Sequence, residues 1–145
     1  MIAVDTNILV YARRAESPQH KEALRLLRDL ATGSRPWALT WVSIYEFLRV
    51  VTHAKVFNPP TNISAALEDV ESLLESPSLR LIGEGPSHPE MMRRALVSGG
   101  ATGNLVHDGH IAALLMEHGV TELWTADRDF HRFSGIRVRD PFRQS

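Results

Sequence analysis

Residues 1–11, MIAVDTNILVY, join two apolar runs through a single carboxylate, Asp5. Residues 2–4 have the length and composition of a short buried strand, and residues 7–15 have the apolar spacing of a helix. Asp5 would then lie at the carboxyl end of a strand, where open α/β sheets bind ligands. Because carboxylates are rarely buried unless they are paired or bind a metal, this position predicts a binding role, with a helix cap or a structural salt bridge as the alternative.

The composition is typical of a folded protein with one domain, which we expect to span residues 1–145. The absence of cysteine excludes disulfides, thiolate nucleophiles and cysteine-bound zinc. A formal net charge of −1 means that any contact with nucleic acid must be local. We see neither a basic leader nor an apolar run long enough to cross a bilayer, so the expectation is a cytoplasmic protein with no membrane partner.

Short apolar segments alternate with helical patterns along the whole chain. The predicted strands are residues 2–4, 37–39, 79–81, 122–125 and 136–138. The predicted helices are residues 7–15, 18–31, 42–54, 63–75, 89–97 and 105–118. This alternation predicts an α/β fold in which a central, mainly parallel sheet of short strands carries helices on both faces.

Three helix ends carry capping signals. Ser17 before Pro18 is typical of a helix start, and Ser43 followed by Glu46 has the spacing of a capping box. Gly119 is placed to adopt the left-handed conformation that ends a helix.

Three further carboxylates lie in apolar surroundings. Glu46 belongs to an apolar helical segment, Asp108 belongs to a helical stripe with Ile111 and Leu115, and Asp127 follows the strand at 122–125. Each has a structural alternative: a capping box for Glu46, a buried salt bridge for Asp108 and a helix cap for Asp127.

A parallel sheet would bring Asp5, Glu46, Asp108 and Asp127 to one edge. Four close carboxylates raise one another's pKa values and require cations to stay ionised together. Mg²⁺ or Mn²⁺ suits such a site, because both prefer oxygen ligands, whereas zinc prefers histidine or cysteine. The hydrogen-bonding groups expected beside these acids are Thr6, Asn7 and Thr125.

Four motifs occur in order along the chain: VDTNIL at 4–9, SIYEF at 43–47, HDGHIA at 107–112 and TADRDF at 125–130. Together they make the sequence resemble a PIN-domain ribonuclease, and specifically the VapC-type toxins of bacterial toxin–antitoxin pairs. The resemblance covers nearly the whole chain. It implies a three-layer α/β/α sandwich, Mg²⁺- or Mn²⁺-dependent cleavage of RNA, a cognate antitoxin that occludes the site, and a homodimer.

The resemblance also assigns site residues. It implies that Asp5, Glu46, Asp108 and Asp127 hold one or two cations that activate a water for attack on a phosphodiester. Thr6 and Thr125 match the polar supports of that site, and Asp129 is an alternative to Asp127 as the fourth acid.

RNA binding would require local positive charge. Candidates are Arg13, Arg49 and Arg128, and for each of them a solvated arginine is the alternative. Trp124 and Phe130 flank Asp127 and are expected in the core rather than stacked on bases. The apolar helices between residues 42 and 75 could supply a dimer interface.

Two other functions fit an acidic site at strand ends. A phosphoacceptor receiver domain needs an acidic pair after its first strand and a lysine near its last, but this chain has Thr6-Asn7 and Arg128 there. A non-catalytic PIN-like module that binds RNA or protein would carry the same fold, and the intact set of acids argues against it.

Overall fold

The computed structural model describes residues 1–143, which contain five strands and six α-helices. The strands are β1 (Ile2–Val4), β2 (Trp37–Thr40), β3 (Leu79–Ile82), β4 (Glu122–Trp124) and β5 (Arg137–Arg139). The helices are α1 (Thr6–Arg13), α2 (His20–Thr32), α3 (Trp41–Val51), α4 (Ile63–Leu74), α5 (His88–Ser98) and α6 (Leu105–Glu117). A short 3-10 helix covers Arg128–Arg132.

The strands form one sheet in the order β3-β2-β1-β4-β5, and every neighbouring pair is parallel. The predicted α/β/α sandwich is confirmed, and the sheet is parallel across all the described strands rather than mainly so. From β1 the chain builds outwards through β2 and β3, and later returns to add β4 on the other side of β1. The junction of β1 and β4 is therefore a topological switch point, where such sheets form ligand-binding crevices.

Alternate side chains of the central strands enter two separate cores. Val4, Trp37 and Leu39 pack with residues of α1, α2, α3 and α4 on one face. Ala3 and Ala38 share the other core with α6 and the segment around the 3-10 helix. These two small residues let α6 approach the sheet, and the consecutive residues Ile111, Ala112, Ala113, Leu114 and Leu115 of α6 are all buried. A helix buried all round has no single apolar stripe, which fits its central position.

Two of the predicted helix starts are wrong. Helix α2 begins at His20 rather than at Pro18, and the ring of His20 contacts the carbonyl oxygen of Tyr11 at 2.9 Å. Helix α3 begins directly at the end of β2, where the Thr40 hydroxyl caps the helix by accepting from the backbone N–H of Ser43. Ser43 therefore lies inside the helix and cannot form a capping box with Glu46.

Other boundaries differ by one to three residues. Helix α3 ends at Val51, three residues early, where the Thr52 hydroxyl donates to the carbonyl of Leu48. Strand β5 is shifted by one residue to Arg137–Arg139. The prediction for Gly119 is confirmed, because its φ is +68° just after α6.

Among residues 1–143, none of the helices combines the length and the apolar character needed to cross a membrane.

Candidate active site

The four acids singled out from the sequence line one cavity of about 280 Å³. Asp5 follows β1, Asp127 follows β4 after two intervening residues, and Glu46 and Asp108 project from α3 and α6. Thr6, Asn7 and three apolar or aromatic residues complete the lining: Val10, Tyr11 and Val50. The cavity thus lies at the carboxyl edge of the sheet, beside the switch point between β1 and β4.

Asp5 is both a helix cap and part of this cavity. One carboxylate oxygen accepts from the backbone N–H of Thr6 at 2.7 Å, which caps α1. The other accepts from the Thr125 hydroxyl at 2.7 Å and from the Asn7 amide at 3.3 Å. All of these donors are neutral, and only 5% of the residue is exposed. Burial therefore raises the pKa of Asp5 to about 7, with repulsion from Glu46 and Asp108 adding to it and the hydrogen bonds from Thr125 and Thr6 opposing it.

The Thr125 hydroxyl joins three parts of the site. It donates to Asp5, and it accepts from the side-chain amide of Asn7 and from the backbone N–H of Asp127, both at 3.0 Å. Asn7 also accepts from the backbone N–H of Ala126 at 3.4 Å. One buried hydroxyl thereby fixes the loop after β4 against the start of α1.

Thr6 links Asp5 to Glu46. Its backbone N–H donates to Asp5, and its hydroxyl donates to the carboxylate of Glu46 at 3.2 Å. Glu46 points towards α1 and the cavity, rather than back to the start of its own helix.

Asp108 faces two acids at the start of the 3-10 helix. Carboxylate oxygens of Asp108, Asp127 and Asp129 all lie within 4.8 Å of one another. Asp127 caps the 3-10 helix by accepting from the backbone N–H of Asp129 at 2.9 Å. Burial, followed by repulsion from Asp127, Asp129 and Glu46, raises the pKa of Asp108 to about 6. Asp127 lines the cavity and Asp129 is exposed beside it, so both alternatives for the fourth acid lie near Asp108.

The donor set of the cavity matches the chemistry of a hard divalent cation. Within the described residues, none of the four acids forms an ion pair with lysine, arginine or histidine. The available ligands are carboxylate oxygens, which Mg²⁺ and Mn²⁺ prefer. A bound divalent cation would offset the repulsion that raises the pKa values of Asp5 and Asp108.

The three candidate arginines lie in different places. Arg13 pairs with Asp69 of α4 at 3.3 Å and does not line the acidic cavity. Arg49 is exposed on α3. Arg128 lines an open groove that begins beside Thr125 and Asp127.

The same groove contains three basic residues that the sequence reasoning missed: His131, Arg139 and Arg143. Asp140 also lines the groove and pairs with Arg143 at 3.5 Å. The guanidinium group of Arg139 lies 5.7 Å from the ring centroid of Trp124. The run RVRDPFR at 137–143 was the available signal, but its relation to Asp127 depends on the pairing of β5 with β4.

Of the two aromatic residues expected in the core, Phe130 is buried, whereas Trp124 is only partly buried. The indole N–H of Trp124 donates to Glu122 at 3.1 Å, while the ring packs against the core that contains Val4 and Trp37.

Comparison with known proteins gives a consistent set of similarities. The family model described as PIN domain matches residues 2–136. Ribonuclease VapC48 of Mycobacterium tuberculosis is 37% identical over 138 residues, covering 95% of each chain. The VapC ribonuclease Mb2897 of Mycobacterium bovis is 38% identical over 141 residues, covering 97% of this chain and 95% of the relative.

Solved structures with the same fold are more distant in sequence. VapBC2 of Rickettsia felis, bound to a DNA fragment from its promoter, matches with a TM-score of 0.65 and 20% identity, covering 96% of this chain and 98% of the other. VapC20 of Mycobacterium tuberculosis, a toxin that cleaves the sarcin–ricin loop, also has a TM-score of 0.65 and 20% identity, covering 94% of this chain and 99% of the other.

The raised pKa of Asp108 predicts a pH-dependent cost to stability in the metal-free protein. Because the carboxyl holds its proton up to about pH 6 in the folded state but only to about 3.8 in the unfolded chain, stability falls as the pH rises between these values. Asp108→Asn should therefore raise the free energy of unfolding by about 1 kcal/mol above pH 6, after allowance for solvent screening, and change it little near pH 4. Urea unfolding across this pH range with a chelator measures the difference, and a destabilised variant at pH 7 would contradict the raised pKa of Asp108.

Proposed function

The chain belongs to the PIN domain family, and from that premise we propose that it is an endoribonuclease toxin that depends on Mg²⁺ or Mn²⁺ and is neutralised by a cognate antitoxin. The observation that carries this proposal is the cavity lined by Asp5, Glu46, Asp108 and Asp127, none of which forms an ion pair with a basic side chain among residues 1–143. Relatives at 37% and 38% identity over nearly the whole chain are named ribonucleases, which supports the reaction class.

In this proposal Asp5, Glu46, Asp108 and Asp127 hold the cation. When bound, it supplies Lewis acidity that makes a water a better nucleophile and offsets negative charge at the phosphodiester. The hydroxyl of Thr125 holds Asp5 in place, and the Thr6 hydroxyl orients Glu46. These neutral donors hold Asp5 and Glu46 at the cavity without cancelling their charge.

The basic groove gives the RNA a path to the acids. Arg128, His131, Arg139 and Arg143 lie along a surface that starts at Asp127, so a phosphate backbone in the groove would lead into the acidic cavity. Positive charge here offsets the repulsion that the acidic centre exerts on RNA.

Two protein partners complete the proposal. Solved structures with this fold include DNA-bound VapBC complexes of Rickettsia felis and Salmonella typhimurium, which supports a cognate antitoxin. Helix α4 exposes a row of apolar side chains, Ile63, Leu67 and Leu74, which supports a homodimer through this helix.

Light scattering on the purified chain should give a mass twice the 16.2 kDa of one copy. The variant Leu67→Glu should give the mass of a single copy. A monomer at micromolar concentration would contradict the dimer.

Co-expression with the neighbouring open reading frame should yield a copurifying complex that does not cleave RNA. The absence of such a complex would contradict the proposed antitoxin partner.

The proposed reaction requires the four acids and a divalent cation. Asp5→Asn, Glu46→Gln or Asp108→Asn should each lower RNA cleavage by about 100-fold or more, because each change removes a ligand or its charge. Chelation should abolish cleavage by the unmodified protein, and Mg²⁺ or Mn²⁺ should restore it. The assay is gel analysis of labelled RNA, and metal-independent cleavage would contradict the proposal.

Two variants at Thr125 distinguish a role in positioning Asp5 from a general loss of structure. Thr125→Val removes the hydroxyl while keeping the shape, and should raise the Mg²⁺ concentration for half-maximal cleavage about 10- to 100-fold. Thr125→Ser keeps the hydroxyl and should behave almost as the unmodified protein does. Equal metal dependence in the two variants would show that the hydroxyl does not position Asp5.

The groove predicts a specific effect on RNA affinity. In a Glu46→Gln background that prevents cleavage, Arg128→Ala or Arg139→Ala should weaken binding of a single-stranded RNA and reduce the salt dependence by about one unit of log–log slope. Arg80→Ala is the matched control, because Arg80 lies on β3 at the opposite edge of the sheet. Fluorescence anisotropy measures the affinity. An equal loss of affinity in Arg80→Ala would contradict RNA binding along the groove.

A further inference from the structure

A second cluster of metal-ligating side chains lies away from the acidic cavity. Glu84 follows β3, His88 begins α5, and His110 belongs to α6. One ligand atom from each of these residues lies within 4.8 Å of the others. His110 and Asp108 are two residues apart on α6, so they point to nearly opposite sides of the helix.

The contacts within the cluster extend to Glu117, one helical heptad beyond His110. The Nε2 atom of His110 lies 2.6 Å from a carboxylate oxygen of Glu84. The Nδ1 atom of His88 lies 3.1 Å from Oε2 of Glu117, and the rings of His88 and His110 have centroids 5.6 Å apart.

Glu117 is a buried carboxylate with incomplete compensation. Its side chain is 4% exposed, and Oε1 has no hydrogen-bond partner among the described residues. A Cβ at position 85 would lie 2.6 Å from this oxygen, so Gly85 makes room for the carboxylate in the buried position. Burying a carboxylate is unfavourable unless positive charge lies close by, and within the part of the chain that the structure describes the ring of His88 is the one side chain within hydrogen-bond distance of the Glu117 carboxylate.

A cation bound to the other nitrogen of the His88 ring would supply that charge. A metal-ligating histidine usually donates its second ring N–H to a carboxylate, which orients the ring and makes it a better ligand. The pair of His88 and Glu117 has this arrangement: Nδ1 contacts the carboxylate, and Nε2 has no hydrogen bond to any of residues 1–143.

We propose that Glu84, His88 and His110 form a Zn²⁺ site and that Glu117 orients His88 within it. Two imidazoles and one carboxylate are a common zinc ligand set, which leaves a fourth position for water. This set differs from the all-oxygen set of the acidic cavity, so the two sites select different ions. Zinc at this position ties the segment after edge strand β3 to α5 and α6.

Binding of Zn²⁺ to the full chain tests the proposal without using nuclease activity. In an Asp108→Asn background, which weakens the acidic cavity, the protein should bind one Zn²⁺ in a calorimetric titration. A hundredfold excess of Zn²⁺ over its Kd should raise the Tm by about 8 °C. The Tm should not rise in response to Mg²⁺ in this background.

Variants then locate the ion. His88→Gln and His110→Gln should each lower Zn²⁺ affinity by about 100-fold, and Glu117→Gln by about 10- to 100-fold. His53→Gln is the matched control, because His53 follows α3 on the other face of the sheet, and it should bind as the background protein does. Glu84→Gln changes an exposed side chain and so tests the site without threatening the fold.

The Zn²⁺ affinities of these variants either support or overturn the proposed site. The proposal fails if the background protein binds no Zn²⁺, or if Glu84→Gln and His110→Gln bind it as tightly as His53→Gln does. In that case the cluster is a pair of histidine–carboxylate contacts only. Tetrahedral Co²⁺ absorption that disappears in His88→Gln and persists in His53→Gln would support the same ligand set.

Discussion

The rest of the site depends on one constraint, the burial of the Asp5 carboxylate among neutral donors. Thr6, Asn7 and Thr125 satisfy its oxygens, but none of them brings positive charge. The hydrogen bonds hold the group in position while burial raises its pKa to about 7. A carboxylate held in this way is stable in the fold and remains available to a cation. The capping role and the proposed ligand role of Asp5 are therefore compatible, because a carboxylate oxygen that accepts a hydrogen bond keeps a second lone pair for a cation.

The fold turns this local constraint into a site. Parallel strands bring the residues after β1 and β4 to the same edge, and the Thr125 hydroxyl joins those two segments directly. Helices α3 and α6, packed on opposite faces, then place Glu46 and Asp108 on either side. The repulsion among these acids lowers the stability of the metal-free protein. A protein selected for stability alone would not gather them, so their gathering is best explained by a bound cation.

The sequence predicts the sheet, its helices and the positions of the four acids well, because short apolar strands ending in a carboxylate leave few alternatives. It fails where the answer depends on contacts between distant segments. The local pattern favours Ser43 as the cap of α3, because it does not show that the helix starts directly after β2 with Thr40 as its cap. The ion pair of Arg13 with Asp69 likewise joins two helices that are far apart in the sequence. The basic groove depends on the pairing of β4 with β5, which no local pattern contains.

The central claim is that the four carboxylates share a divalent cation. Anomalous diffraction from crystals soaked in Mn²⁺ tests it most directly, because it locates the ion without reference to activity. We expect a strong anomalous peak in the cavity, within ligand distance of Asp5 and of Asp108 or Asp127. Crystals of an Asp108→Asn variant should lose or weaken that peak. A structure with intact acids, Mn²⁺ in excess and no peak between them would contradict the account.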